Sequence, residues 1–141
     1  MSDTSVWSIT SLHQALQQHE RVTSGALALA LQEGPAPVLR LNLHGFALEL
    51  AISGDQVLVD GLLVEASKVN DRAAFNDTVL RSRELFPLSS VCIEQVGGTA
   101  YYGLFGALSA ESPLPVIVHE IDTLAENLVR ASEAFADHFT A

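Results

Sequence analysis

The spacing of apolar residues changes period several times along this chain, and each change marks an element. Ile9, Leu12 and Leu16 recur at i, i+3 and i+7, which predicts a short helix with one apolar face. Ser8 or Thr10 can cap it, because a side-chain oxygen there meets the unpaired amides of the first turn. Gln17 to Arg21 run polar, and Thr23-Ser24-Gly25 ends the segment. From residue 26 the period falls to two. Leu27, Leu29 and Leu31 alternate with alanines, which predicts a strand with one heavily packed face. Gly34-Pro35-Ala36-Pro37 breaks that strand, and Leu39, Leu41 and Leu43 begin another. His44-Gly45 is placed for a two-residue hairpin turn into Phe46, Leu48, Leu50 and Ile52. Ser53-Gly54-Asp55-Gln56 turns the chain again into Val57 to Val64. The four runs predict an antiparallel meander with one wet face.

Helical spacing returns at residue 70. Asn70 reads as the N-cap, Phe75, Val79 and Leu80 as the apolar side, and Pro87 as the close. Two further strands are predicted near Ser89–Val96 and Thr99–Leu108, joined by the hairpin signal Gly97-Gly98. Leu114, Ile117, Val118, Ile121, Leu124, Leu128 and Phe135 then predict one long helix from about Pro115 to His138. Its other face reads as solvated carboxylates: Glu120, Asp122, Glu126, Glu133 and Asp137. Such a helix would wrap the sheet or project into a partner. The order helix, antiparallel strand meander, helix, β-hairpin, long C-terminal helix is an α+β domain, and residues 1–141 read as one unit.

Composition narrows the function. Seven Lys and Arg against 17 Asp and Glu give a net charge of −10, a field that repels nucleic-acid backbones and anionic membranes. One cysteine, Cys92, excludes an internal disulfide and fits a reducing compartment. The first residues carry no basic segment followed by an apolar stretch, and no apolar run reaches the roughly 18 residues of a membrane span. A cytoplasmic protein is expected.

Candidate chemistry is sparse. His13, His19, His44, His119 and His138 are dispersed, and His119-Glu120 lacks the second histidine of H-E-x-x-H because Thr123 stands there. Cys92, between Val91 and Ile93, has no basic neighbour to activate it. There is no G-x-S-x-G elbow, Gly97-Gly98-Thr99 opens no helix, and Gly103 and Gly106 mark bends or close backbone approach. Neither catalytic nor metal-binding residues nor a cofactor is assigned.

Interaction chemistry is better represented. Lys68, Arg72, Arg81 and Arg83 gather four of the seven basic residues beside the second helix, opposite in charge to the last one. Aromatic and arginine side chains anchor interfaces, so the candidate association surfaces are Phe75, Val79, Arg81 and Arg83 on the second helix and Tyr101, Tyr102 and Phe105 on the last strand pair.

Leu88-Ser-Ser-Val-Cys-Ile-Glu-Gln-Val-Gly-Gly98, Tyr101-Tyr-Gly-Leu-Phe-Gly-Ala-Leu-Ser109 and Ile121-Asp-Thr-Leu-Ala-Glu-Asn127 resemble the YjfI-like family of small bacterial proteins of unknown function, from about Trp7 to Phe139. That resemblance carries over no catalytic residue. It implies a link to envelope stress and, as partner, a phage-shock-protein-A-like membrane-stress protein. The element order is also similar to class I chaperones of type III secretion, which implies a small, acidic homodimer holding an extended protein segment. The expected function is a non-catalytic, protein-binding adaptor or chaperone-like homodimer. The alternative is a small ligand-binding domain or enzyme with its site between sheet and helix.

Overall fold

The computed structural model describes residues 6–140. Helix α1, Ile9–Gln17, starts at Ser8, whose Oγ accepts from the Ser11 amide at 3.0 Å while Ser11 Oγ accepts from the Ser8 amide at 2.9 Å. This reciprocal box settles the cap in favour of Ser8 over Thr10. A single helical turn, α2 (Glu20–Thr23), leads into the strands β1 (Ala28–Gln32), β2 (Val38–Leu43), β3 (Phe46–Ser53) and β4 (Gln56–Glu65). His44 and Gly45 turn the second hairpin with φ of 55° and 83°, the two positive values that match the twist of paired strands. Helix α3 is Arg72–Leu80, followed by β5 (Ser90–Val96), β6 (Thr99–Ser109) and α4 (Leu114–Ala134).

All strand pairs are antiparallel, in the order β1-β2-β3-β4-β6-β5. The hairpin after α3 therefore folds back so that β6 lies beside β4, and β5 becomes the outer edge. Paired registers place Leu41, Leu48, Gly61 and Leu104 on one face and Arg40, Glu49, Asp60 and Phe105 on the other. All the larger helices cover the first face. Ile9, Leu12 and Leu16 of α1 join Leu39, Leu50, Val57 and Val59 and the buried side of α4 in one core. Ile117, Ile121, Leu124 and Leu128 are 0 % exposed there, each stabilising by about 1.5–3 kcal/mol on burial. A second core joins Phe75 and Val79 of α3 to Tyr102, Phe86, Ala131 and Phe135. The opposite face is open, with Ala28, Ala30, Asn42, Ala47 and Ala107 exposed.

Glycines let these layers close. A Cβ on Gly61 would stand 2.6 Å from Leu128 Cδ1, and one on Gly106 would strike the Glu120 carboxyl. A Cβ on Gly103 would meet the Gly61 carbonyl at 2.6 Å, beside the irregular register between Leu62 and Val64.

Several boundaries differ from the sequence reading. Asp71, not Asn70, caps α3 through its Oδ1 and the Ala74 amide at 3.1 Å. The Asn70 amide instead donates to the His138 carbonyl at 2.9 Å. Leu80 does not join the buried side of α3; it is 80 % exposed, about 100° around the helix from Val79. Leu29 and Leu31 are only half-buried, because β1 is an edge strand. Pro87 does not close α3, which ends at Leu80 and is followed by a 3₁₀ turn at Arg83–Leu85. Helix α4 stops at Ala134, since Phe135 turns into the second core, and Ala136–His138 form a separate 3₁₀ turn. The chain end wraps back: Val69 bridges Phe139, and the Thr140 amide donates to the Lys68 carbonyl at 2.7 Å. Glu120 is buried rather than solvated, because it sits in the i, i+3, i+4 stripe with Ile117, Ile121 and Leu124.

Because the obstacle at residue 103 is backbone, Gly103→Ala is expected to lower unfolding free energy by about 1–3 kcal/mol. Urea denaturation measures this, and an unchanged midpoint would show that the β4–β6 contact has slack.

Candidate functional site

The residues first singled out for association divide between three environments. Phe75 and Tyr102 are 0 % and 2 % exposed, packed edge-on with ring centroids 4.8 Å apart, and the Tyr102 hydroxyl donates to Asn76 Oδ1. They are core residues rather than exposed anchors, with Tyr102 reaching only the floor of a groove between α3 and β5. Their apolar bulk and helical spacing fit a core stripe as well as an anchor, which is why sequence misplaced them. Tyr101 and Phe105 are half-buried on the open face of the sheet, away from α3. Val79, buried on α3, and exposed Arg83 line a shallow depression with Leu80, Phe86, Ser89, Ser90 and Val91. Exposed Arg81 is held by Asp77 at 3.0 Å, one helical turn earlier.

The same region contains residues that sequence reasoning passed over. Of the seven large apolar side chains exposed among the described residues, five fall between residues 80 and 96: Leu80, Leu85, Leu88, Ile93 and Val96. Between α3 and β5 runs a groove of about 340 Å³, lined by Asn76, Val79, Leu80, Val91, Ile93 and Tyr102. Ile93 stands at its lip, 52 % exposed. The available signal was positional: in β5 only Glu94 is charged, and an edge strand with so little charge lacks the usual guard against pairing.

The intervening loop is built to present its leucines. Asn127, 1 % exposed on α4, donates to the Pro87 carbonyl at 2.9 Å and to Ser89 Oγ at 3.0 Å. Arg130 donates to the Leu85 carbonyl at 2.9 Å and to Asn127 Oδ1 at 3.0 Å. Between these anchors Leu88 takes a φ of 69° with 60 % of its surface exposed. A left-handed conformation costs a residue with a Cβ about 1–2 kcal/mol, so the surrounding hydrogen bonds must hold it.

The open sheet face carries a different chemistry. Arg40, Glu49, Asp60 and Glu94 line a groove of about 390 Å³. Arg40 pairs with Glu49 at 3.5 Å and donates to Gln32 Oε1 at 2.6 Å. Burial, then the adjacent Glu94 carboxylate and the charge of Glu49, push Asp60 up to about 7. Burial and Glu94 also push the Cys92 thiol up to about 12, and its Sγ donates to Glu94 Oε1 at 3.5 Å. Cys92 is thus a protonated, weakly nucleophilic thiol near neutral pH. Glu120, on the other face, is likewise raised by burial, with His119 acting in the opposite sense. Among the described residues no three His, Cys, Asp or Glu side chains converge as metal ligands, and no helix is long and apolar enough to cross a membrane.

With this geometry in view, the relatives are informative. Residues 6–139 match the family described as "Uncharacterized protein conserved in bacteria (DUF2170)". The chain belongs to the DUF2170 family. Within reach of it is the YjfI protein of Escherichia coli K12, 32 % identical over 120 residues that cover 77 % of this chain and 90 % of that protein. The YjfI protein of Escherichia coli O157:H7 matches to the same extent. Two solved structures share the DUF2170 chain's fold. A chain in the HopA1–SchA chaperone–effector complex has a TM-score of 0.59 at 16 % identity, covering 90 % of this chain and 98 % of that one. Escherichia coli YbjN, described as a putative transcription regulator, has a TM-score of 0.62 at 12 % identity, covering 92 % and 95 %. The mixed α+β architecture expected from sequence, and its likeness in fold to a chain of a chaperone–effector complex, are thereby established.

The raised Asp60 gives a pH signature. Folded protein holds this proton up to about pH 7, whereas the unfolded chain releases it near the ordinary 3.8. Its contribution to stability is therefore full below about pH 4, declines as pH rises and is lost above about pH 7. Urea unfolding from pH 5 to 8 should show a fall in stability that Asp60→Asn flattens. Equal pH slopes in the two proteins would contradict the assignment.

Proposed function

We propose that this DUF2170 chain is a non-catalytic protein-association domain, an adaptor of chaperone-like type that acts through α3, the following loop and β5. One observation carries the reading: exposed Leu80 and Ile93 line one groove at the outer β5 edge, with exposed Leu85 and Leu88 on the loop between α3 and β5. Scattered exposed leucines are ordinary, but apolar side chains grouped in a groove along an edge strand are the geometry that receives another chain. The fold shared with a chain of a chaperone–effector complex supports the same role. Self-association as a homodimer belongs to this reading, as does a cytoplasmic location. The resemblance read from the sequence makes a phage-shock-protein-A-like membrane-stress protein the first partner to test.

The rival, a ligand site or active site between sheet and helix, finds less support. That layer is filled by Ile117, Ile121, Leu124 and Leu128, all 0 % exposed. Regulation of transcription by direct DNA contact is disfavoured by the net charge of −10.

Leu80→Glu and Leu88→Glu place charge on exposed positions of the patch and leave both cores intact. Purified phage-shock-protein-A-like protein titrated against the tagged full chain should lose at least about thirtyfold in affinity with either variant. Affinity unchanged by both would count against the patch as the contact surface. No binding to the wild type would remove that partner.

A further inference from the structure

We infer that the β5 edge is closed by β5 of a second copy of this chain, antiparallel about a two-fold axis at Ile93. The inference rests on the proposed association reading and names its first occupant. It begins from the hydrogen bonds of the hairpin. β5 and β6 are joined by only Gly97 and Gly98, so Val96 and Thr99 form the hydrogen-bonded closing pair. Such pairs alternate along antiparallel strands, so Ser90, Cys92, Glu94 and Val96 direct their amides and carbonyls into β6. Val91, Ile93 and Gln95 direct theirs outward, where no strand lies among the described residues.

That outward set is complementary to itself. Placing Ile93 opposite Ile93 of the second copy sets Val91 opposite Gln95 and gives every residue of Ser90–Val96 a partner. The three outward-facing pairs then exchange about six hydrogen bonds. Glu94, the strand's only charge, falls opposite Cys92, so no like charges are directly opposed. On the helix-covered side the same rotation brings Ile93 and the neighbouring Leu80 of each copy into one apolar seam, so both side chains leave water together.

Charge permits this contact. The chain carries −10 overall, and two copies repel at most approaches. Lys68 and Arg72 lie before and at the start of α3, Arg81 and Arg83 just past its end, and exposed Arg83 lies beside Ser90 and Val91. These basic side chains offset Asp77 and Glu84 in the same segment, so self-approach along β5 meets less repulsion than the net charge implies. A two-fold contact also closes on itself and uses up the β5 edge of each copy, whereas pairing β5 with the β1 edge of another copy would build an open filament.

The test uses the full chain in sedimentation velocity and light scattering over a concentration series. Wild type should run as a dimer. Ile93→Glu, at a half-exposed position, should raise the dimer dissociation constant by more than about thirtyfold with thermal unfolding little changed. Val116→Glu, an exposed apolar position outside the patch, should leave the dimer intact. Register is read by Ile93→Cys in a Cys92→Ser background. Opposed residues of a hydrogen-bonded pair have Cα atoms about 5.5 Å apart, within disulfide range, so mild oxidation should link two chains. A monomer at all concentrations, a dimer indifferent to Ile93→Glu, or a dimer without the cross-link would each overturn the inference. A monomer whose binding to the phage-shock-protein-A-like protein is lost with Leu80→Glu and Ile93→Glu would overturn the second-copy inference and keep the association reading. A monomer whose binding no patch substitution alters would remove both.

Discussion

Helix α4 lies flat on the sheet because Gly61 and Gly106 put no side chain beneath it, and the rest of the molecule depends on that close contact. Leu128 occupies the space over Gly61, and the Glu120 carboxyl occupies the space over Gly106. At this distance Ile117, Ile121 and Leu124 reach the sheet and complete the core shared with α1. The helix then extends its influence past the sheet: Ala131 and the adjoining Phe135 enter the second core with Phe75 and Tyr102. Asn127 and Arg130, between the two, hold the loop that follows α3. One helix thus fixes both cores and the placement of Leu85 and Leu88.

Putting every larger helix on one face has consequences at the other surfaces. The bare face can tolerate water because its alanines and half-buried Tyr101 and Phe105 are interleaved with Arg40, Glu49, Asp60 and Glu94. The edges are less protected. β1 is short, five residues, and is followed by Gly34 and Pro35, which cut off further pairing. β5 has seven residues, one charge and no proline, and its exposed Ile93 continues the apolar surface of Leu80. An edge of that composition is a liability in isolation and an asset when a second chain covers it. This is the physical ground for reading the DUF2170 chain as an association module.

Much of this fold was legible from period alone, because a strand with one wet face and a helix on a sheet leave distinct spacings. The hairpin turns at His44-Gly45 and Gly97-Gly98 were legible because few residue pairs accept two positive φ values. Position in the sheet was not legible. Alternation says that β5 is a strand and not that β6 separates it from β4, so the exposure of Ile93 could not be foreseen. For the same reason Tyr102 and Phe75, with the chemistry of interface anchors, turned out to be core, while Leu80, one residue beyond a buried valine, turned out to be surface. Glu120 was misread because a carboxylate in an apolar stripe becomes acceptable only where a glycine lies opposite, a long-range coincidence with Gly106.

Residue-resolved amide hydrogen exchange of β5 across a dilution series tests the central claim most directly. Amides of Cys92, Glu94 and Val96 face β6 and should exchange slowly at every concentration. Amides of Val91, Ile93 and Gln95 face outward and should be protected at high concentration and become fast on dilution. Fast exchange of those three at every concentration, with no added partner slowing them, would contradict the account.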